Sequence, residues 1–121
     1  MVATATVVHL GYARRRGLSD LPQMRLPHFD DEKYFDVYMN YTICVEDRDD
    51  MVQYLKDSGV EVLTPISLAK PLHHQPALGL QQYDLPNTER IARQFIYLPA
   101  HPEMSDEQVD YVIQTIRNYY Q

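Results

Sequence analysis

The densest run of chemically able side chains is Lys70-Pro71-Leu72-His73-His74-Gln75-Pro76-Ala77. A neutral imidazole offers one donor and one acceptor, and a protonated one offers two donors. His73 and His74 can therefore hydrogen-bond hydroxyls or phosphate oxygens. The Lys70 ammonium can reach an anionic group, although a solvated loop lysine is the plainer reading of it. A metal site built from His73, His74, His28 and His101 is not expected. Adjacent histidines seldom converge on one ion, and no regular spacing brings the others together. Cys44 is the only cysteine, which excludes an internal disulfide and cysteine-based metal motifs. It reads as a small buried apolar residue. Arg14-Arg15-Arg16 reads as a solvated cationic face.

These groups sit in a chain of 121 residues, the length of one domain. With 45% hydrophobic and 23% charged side chains, it can bury a single globular core. The 17 acidic against 11 basic side chains leave a net charge of −6, which argues against nucleic acid or an anionic membrane as partner. The 10 tyrosines read as amphipathic packing residues rather than base-stacking platforms. No stretch approaches the roughly 20 apolar residues that span a bilayer. The apolar start, Met1 to Val8, lacks the basic lead and length of a signal peptide. A cytoplasmic location is the expectation.

The elements that must position these groups can be read from periodicity. Residues 1–22 are expected to be an arm or the remnant of a linking helix, weakened by Gly11 and Gly17. Met24 to Leu26 reads as a short edge strand stopped by Pro27. Tyr34 to Val45 reads as one long strand. Its first face carries Phe35, Val37, Met39, Tyr41, Ile43 and Val45, and its mixed face carries Tyr38, Asn40, Thr42 and Cys44. Asp47 is expected to cap a helix that buries Met51, Val52 and Leu55, with Lys56 in its last turn and Gly59 as a left-handed stop. Val60 to Leu63 reads as a further strand, and Thr64 to Tyr83 as a long irregular loop. A helix restarts at Asp84-Leu85-Pro86 and buries Ile91, Ala92 and Phe95. Ile96 to Leu98 reads as a strand ended by Pro99. Ser105 to Gln108 forms a capping box for a last helix that buries Val109, Val112, Ile113 and Ile116. The predicted fold is an α/β (α+β) two-layer sandwich, a small mixed or antiparallel sheet with helices packed on one face.

The loop segment 70–77, then Asp84-Leu85-Pro86-Asn87-Thr88-Glu89-Arg90-Ile91-Ala92-Arg93, resembles the DegT/DnrJ/StrS-type sugar aminotransferases. So does the stretch from Leu98 through His101, Pro102 and Ser105 to Ile113, and the turn Glu46-Asp47-Arg48-Asp49 is similar too. The segments arrive in the family's order and spacing, from about Arg14 to Tyr120. The resemblance implies the C-terminal small domain, residues 23–121, of an enzyme with the aspartate-aminotransferase fold. Such an enzyme uses pyridoxal phosphate (PLP) to move an amino group, usually from glutamate, onto a keto nucleotide sugar. The resemblance puts the Schiff-base lysine, the phosphate cradle and the carboxylate facing the pyridine nitrogen in a preceding large domain. Lys33, Lys56 and Lys70 stand in contexts unlike that lysine. No catalytic residue and no cofactor are therefore expected in this chain. The resemblance turns His73 toward the substrate cleft, with His74 and Lys70 beside it as candidate substrate-binding residues.

The expected function is a C-terminal domain, fragment or separate subunit of a nucleotide-sugar aminotransferase. It would form one wall of the substrate cleft and be inactive alone. The rivals are a stand-alone non-catalytic binding or assembly module derived from that domain, and a truncated frame without activity. Apolar surface at Val2, Val7, Val8 and Leu10, and on the second face of the Tyr34 to Val45 strand, is expected to pair with a large-domain PLP-binding chain or a second copy.

Overall fold

The structure, a computed structural model, describes residues 11, 13–27, 33, 36–63 and 70–121. Helix α1 (13–18) leads to strand β1 (Met24–Arg25), then β2 (Tyr41–Val45) and helix α2 (Arg48–Asp57). Two 3-10 turns follow, Leu72–His74 and Pro76–Leu78, before α3 (Pro86–Gln94), β3 (Phe95–Leu98) and α4 (Asp106–Tyr119). The strands form one antiparallel sheet in the order β1-β2-β3, with Met24 opposite Val45 and Tyr41 opposite Leu98. This is the predicted α+β architecture. Among the described residues no helix is long and apolar enough to cross a membrane.

Period-two alternation places Tyr41, Ile43 and Val45 in the core and leaves Thr42 and Cys44 half-buried. The strand is shorter than its apolar pattern suggested. Val37 and Met39 were expected on the buried face, yet Met39 is 85% exposed. Tyr38 was expected on the mixed face and is buried instead. The cause is a turn: Tyr38 has φ 47°, and its N–H donates to Asp36 at 2.7 Å, a local bond that breaks the strand's alternation. Tyr34 and Phe35 lie outside the described residues. The predicted strand at Val60 to Leu63 reduces to one bridge, Leu63 with Tyr97, although Val60 and Val62 are buried.

One core joins the sheet to α1, α2 and α4. Ile43, Val45, Ile96 and Leu98 meet Met51 and Leu55 from α2, Val109, Val112, Ile113 and Ile116 from α4, and Leu18 from α1. Each fully buried aliphatic side chain contributes about 1.5–3 kcal/mol. The box at the start of α4 is complete, with Gln108 N–H donating to Ser105 Oγ and Ser105 N–H donating to Gln108 Oε1. Gly59, at φ 77°, ends α2 as expected. Asp47 precedes α2 but makes no capping bond. Its carboxylate instead accepts from Tyr119 (2.7 Å) and Tyr120 (3.2 Å), tying the end of α4 to the start of α2. That bond pushes the Tyr119 phenol up to about 12. On α3, Ala92 is buried as expected, Ile91 is exposed, and Phe95 is buried on β3 rather than on a helix.

Around α1 the glycines and the arginine run differ from expectation. Gly11 and Gly17 both carry helical backbone. A β-carbon on Gly17 would lie 2.7 Å from Ile113 Cγ2, and one on Gly11 would lie 2.6 Å from the Tyr38 ring. The glycines let α1 approach closer than a side chain would permit. The arginine run is not one solvated face, because consecutive helical residues point about 100° apart. Arg16 is exposed, Arg15 donates to the Pro27 carbonyl, and Arg14 is fully buried. The Arg14 guanidinium donates to the Pro99 carbonyl, contacts Met104 Sδ at 3.5 Å and lies 5.5 Å from the Tyr41 ring centroid. Among the described residues its Nε and Nη1 have no hydrogen-bond partner.

Candidate functional site

Pro71 opens the 3-10 turn that carries both candidate histidines. The tight winding, about 3 residues per turn, sends neighbouring side chains apart. His73 is buried, while the His74 side chain stays 44% exposed. Their ring centroids are nevertheless 4.2 Å apart, and both Nε2 atoms reach one oxygen. Glu89 Oε1 lies 2.9 Å from His73 Nε2 and 3.4 Å from His74 Nε2.

Glu89 is placed by the first turn of α3. Leu85, at the cap position, has no side-chain oxygen to offer, so Glu89 reaches back and Oε1 accepts from the Leu85 N–H at 3.4 Å. The hydrogen bond from His73 holds the Glu89 carboxyl below its ordinary range. The Leu85 N–H and the charges of His74 and His73 add to this, against the opposing effect of burial.

Above this cluster opens a cleft of about 410 Å³ lined by Lys70, Pro71, His74 and Glu89, with Arg48 from α2 and Arg93 from α3. Arg48 pairs with Asp49 and donates to the Ala92 carbonyl at 3.1 Å. The cleft's carboxylate is engaged by two histidines, whereas three cations line the walls. That balance suits an anionic ligand.

Of the three residues expected here, Lys70 and His74 line the cleft and His73 lies buried behind it. Arg48, Glu89 and Arg93 were not anticipated as site residues. They fall within the segments that carried the resemblance, but no spacing in the sequence joins them. One ring nitrogen of each histidine and a Glu89 oxygen lie within 4.8 Å of one another, so the adjacent histidines do converge. His101 lines a different and larger cavity of about 730 Å³ beside Leu63, Met104 and Tyr111. His28 lies outside the described residues. Lys33 and Lys56 are exposed, and neither lines the cleft.

The sequence profile of the DegT/DnrJ/EryC1/StrS aminotransferase family matches residues 9–117. A pleiotropic regulatory protein of Geobacillus stearothermophilus is 35% identical over 89 residues, covering 71% of this chain and 23% of that protein. The dTDP-3-amino-3,6-dideoxy-alpha-D-galactopyranose transaminase of Aneurinibacillus thermoaerophilus is 30% identical over 99 residues, 81% of this chain and 26% of that enzyme. Among solved structures, DesV of S. venezuelae, in complex with a ketimine intermediate, superposes with a TM-score of 0.89 at 27% identity, covering 98% of this chain and 32% of that one. The chain thus spans about a quarter of the length of the curated relatives it matches. The chain belongs to the DegT/DnrJ/EryC1/StrS aminotransferase family.

Proposed function

We propose that this chain supplies the small-domain wall of the substrate cleft in a PLP-dependent nucleotide-sugar aminotransferase, as a domain, fragment or separate subunit. The observation that carries this reading is the cationic cleft, where Lys70, Arg48 and Arg93 surround the exposed edge of His74. A nucleotide sugar brings a diphosphate for the cations and hydroxyls for the imidazole. Relatives acting on dTDP-linked sugars point to the same ligand class.

The described residues do not fit PLP. Lys70 is the cleft's lysine, yet it stands exposed beside two arginines, and the one carboxylate near it is committed to His73 and His74. A pyridine nitrogen would find no free carboxylate there. The chain's part is to bind and orient the sugar, and the amino transfer belongs with a cofactor-bearing large domain. We place it in the cytoplasm, engaged with such a chain or with a second copy of itself.

The test is a nucleotide-sugar titration followed by histidine ring resonances. The His74 signals should move in a saturable way while those of His101, in its separate cavity, stay put. Equal or absent perturbation up to millimolar dTDP-sugar would refute cleft binding. A stoichiometric PLP adduct at Lys70 with turnover of glutamate would refute the inactivity of the chain alone.

A further inference from the structure

We propose that His73, His74 and Glu89 form a mononuclear transition-metal site, suited to Zn²⁺, whose fourth position opens into the cleft. Two imidazole nitrogens and one carboxylate oxygen are the donor set of an open zinc site, with metal–ligand distances of about 2.0–2.2 Å. A tetrahedron of that size sets neighbouring ligand atoms about 3.3 Å apart. Glu89 Oε1 already lies 2.9 Å from His73 Nε2 and 3.4 Å from His74 Nε2, so two edges of the tetrahedron are close to length. One ring nitrogen of each histidine and a Glu89 oxygen all fall within 4.8 Å of one another, and rotation of the exposed His74 closes the last edge.

The surroundings support the geometry. The Leu85 N–H holds Oε1 in place, as outer partners of metal-ligating carboxylates do. Burial fixes the His73 ring, while exposure of His74 at the cleft gives the ion a way in. The proton balance is simple. His73 Nε2 now shares a proton with the carboxylate; on metal binding each Nε2 gives its lone pair to the ion and the ring proton sits on Nδ1. An ionised carboxylate and two neutral rings release no net proton on taking up the ion. Acid, by protonating the rings, competes with the ion. A dication on one carboxylate leaves a net positive centre beside Lys70, Arg48 and Arg93, so the fourth position would hold water or hydroxide and favour an anionic ligand oxygen.

This site does not rest on the aminotransferase reading, since the metal alone is the probe. The chelator-treated full chain is titrated with Co²⁺ and followed by its visible d–d absorption. One saturable equivalent with tetrahedral intensity is expected, displaced by one equivalent of Zn²⁺ and accompanied by a rise in Tm. His74→Ala and Glu89→Gln should each weaken binding at least about tenfold, and His101→Ala should leave it unchanged. His74 is exposed, so its replacement leaves the core intact, and circular dichroism verifies this. Should His74→Ala prove unfolded, His74→Gln serves in its place. Absent saturable binding, or binding indifferent to both His74 and Glu89 variants, overturns the site.

Discussion

Replacing Arg14 with methionine is expected to leave stability unchanged or to raise it by up to about 3 kcal/mol. The guanidinium is fully buried, and among the described residues no carboxylate pairs with it. Burial pushes its pKa down to about 10 from 12.5. A fall of that size corresponds to about 3 kcal/mol against the charged form. Nε and Nη1 have no hydrogen-bond partner among the described residues, and each buried unsatisfied group costs about 1–3 kcal/mol. Opposing these are the bond to the Pro99 carbonyl, about 1.5–3 kcal/mol, and the Tyr41 face, about 0.5–2 kcal/mol. The ranges overlap, and the desolvated charge decides the sign. Methionine keeps the contacts of the apolar stem and fits an irregular space. Urea unfolding with an unchanged m-value is the assay, with Tm moving by roughly 4 °C per kcal/mol. Arg16→Met, at an exposed position, should stay within about 0.5 kcal/mol of the parent. A loss above about 2 kcal/mol in Arg14→Met would show that the charge is paired, and the reasoning would fail.

Gly17→Ala should destabilise by up to about 2 kcal/mol, because a clash with Ile113 Cγ2 of about 1–3 kcal/mol offsets the helix-propensity gain of about 1 kcal/mol. A stabilised variant in denaturant titration would mean that α1 stands farther from α4. Acid should expose the role of Glu89. Its folded-state pKa is depressed by His73, so its contribution is fully present above the ordinary carboxylate range and is lost as pH falls through the lower folded value. With chelator present, the parent's Tm should therefore drop more steeply below about pH 4 than that of Glu89→Gln; parallel curves would rule the contribution out.

Where local chemistry decides the structure, the residues could be read in advance. Ser105 and Gln108 find each other within one turn, and Val109, Val112, Ile113 and Ile116 need only helical spacing to reach the core. The reading failed where a distant partner overrides a local preference. Asp47 has a capper's chemistry, but two hydroxyls from the far end of the chain compete for its carboxylate. Tyr38 fits strand alternation, yet a left-handed backbone turns it inward against Gly11. Glycine in a helix looks like weakness until the neighbouring helix supplies the reason for it. No pattern within residues 11–18 points to Ile113 or Tyr38.

The site obeys the same logic. Considered by spacing alone, His73 and His74 diverge and have no third partner. Glu89, 16 residues onward, supplies one only because α3 folds back over the turn. Yet three of the segments that carried the family resemblance meet at this one place. The turn 46–49 contributes Arg48, the loop 70–77 contributes Lys70 and His74, and 84–93 contributes Glu89 and Arg93. The fourth segment, from Leu98 to Ile113, goes elsewhere: it starts at the end of β3 and runs into the buried face of α4. Proline and glycine spacing explains neither grouping. The proposed ligand cleft would account for the first grouping, and the buried core accounts for the second. The resemblance therefore joins two kinds of constraint that only the folded chain separates, and the residues facing the cleft are those whose substitution should change binding before it changes stability.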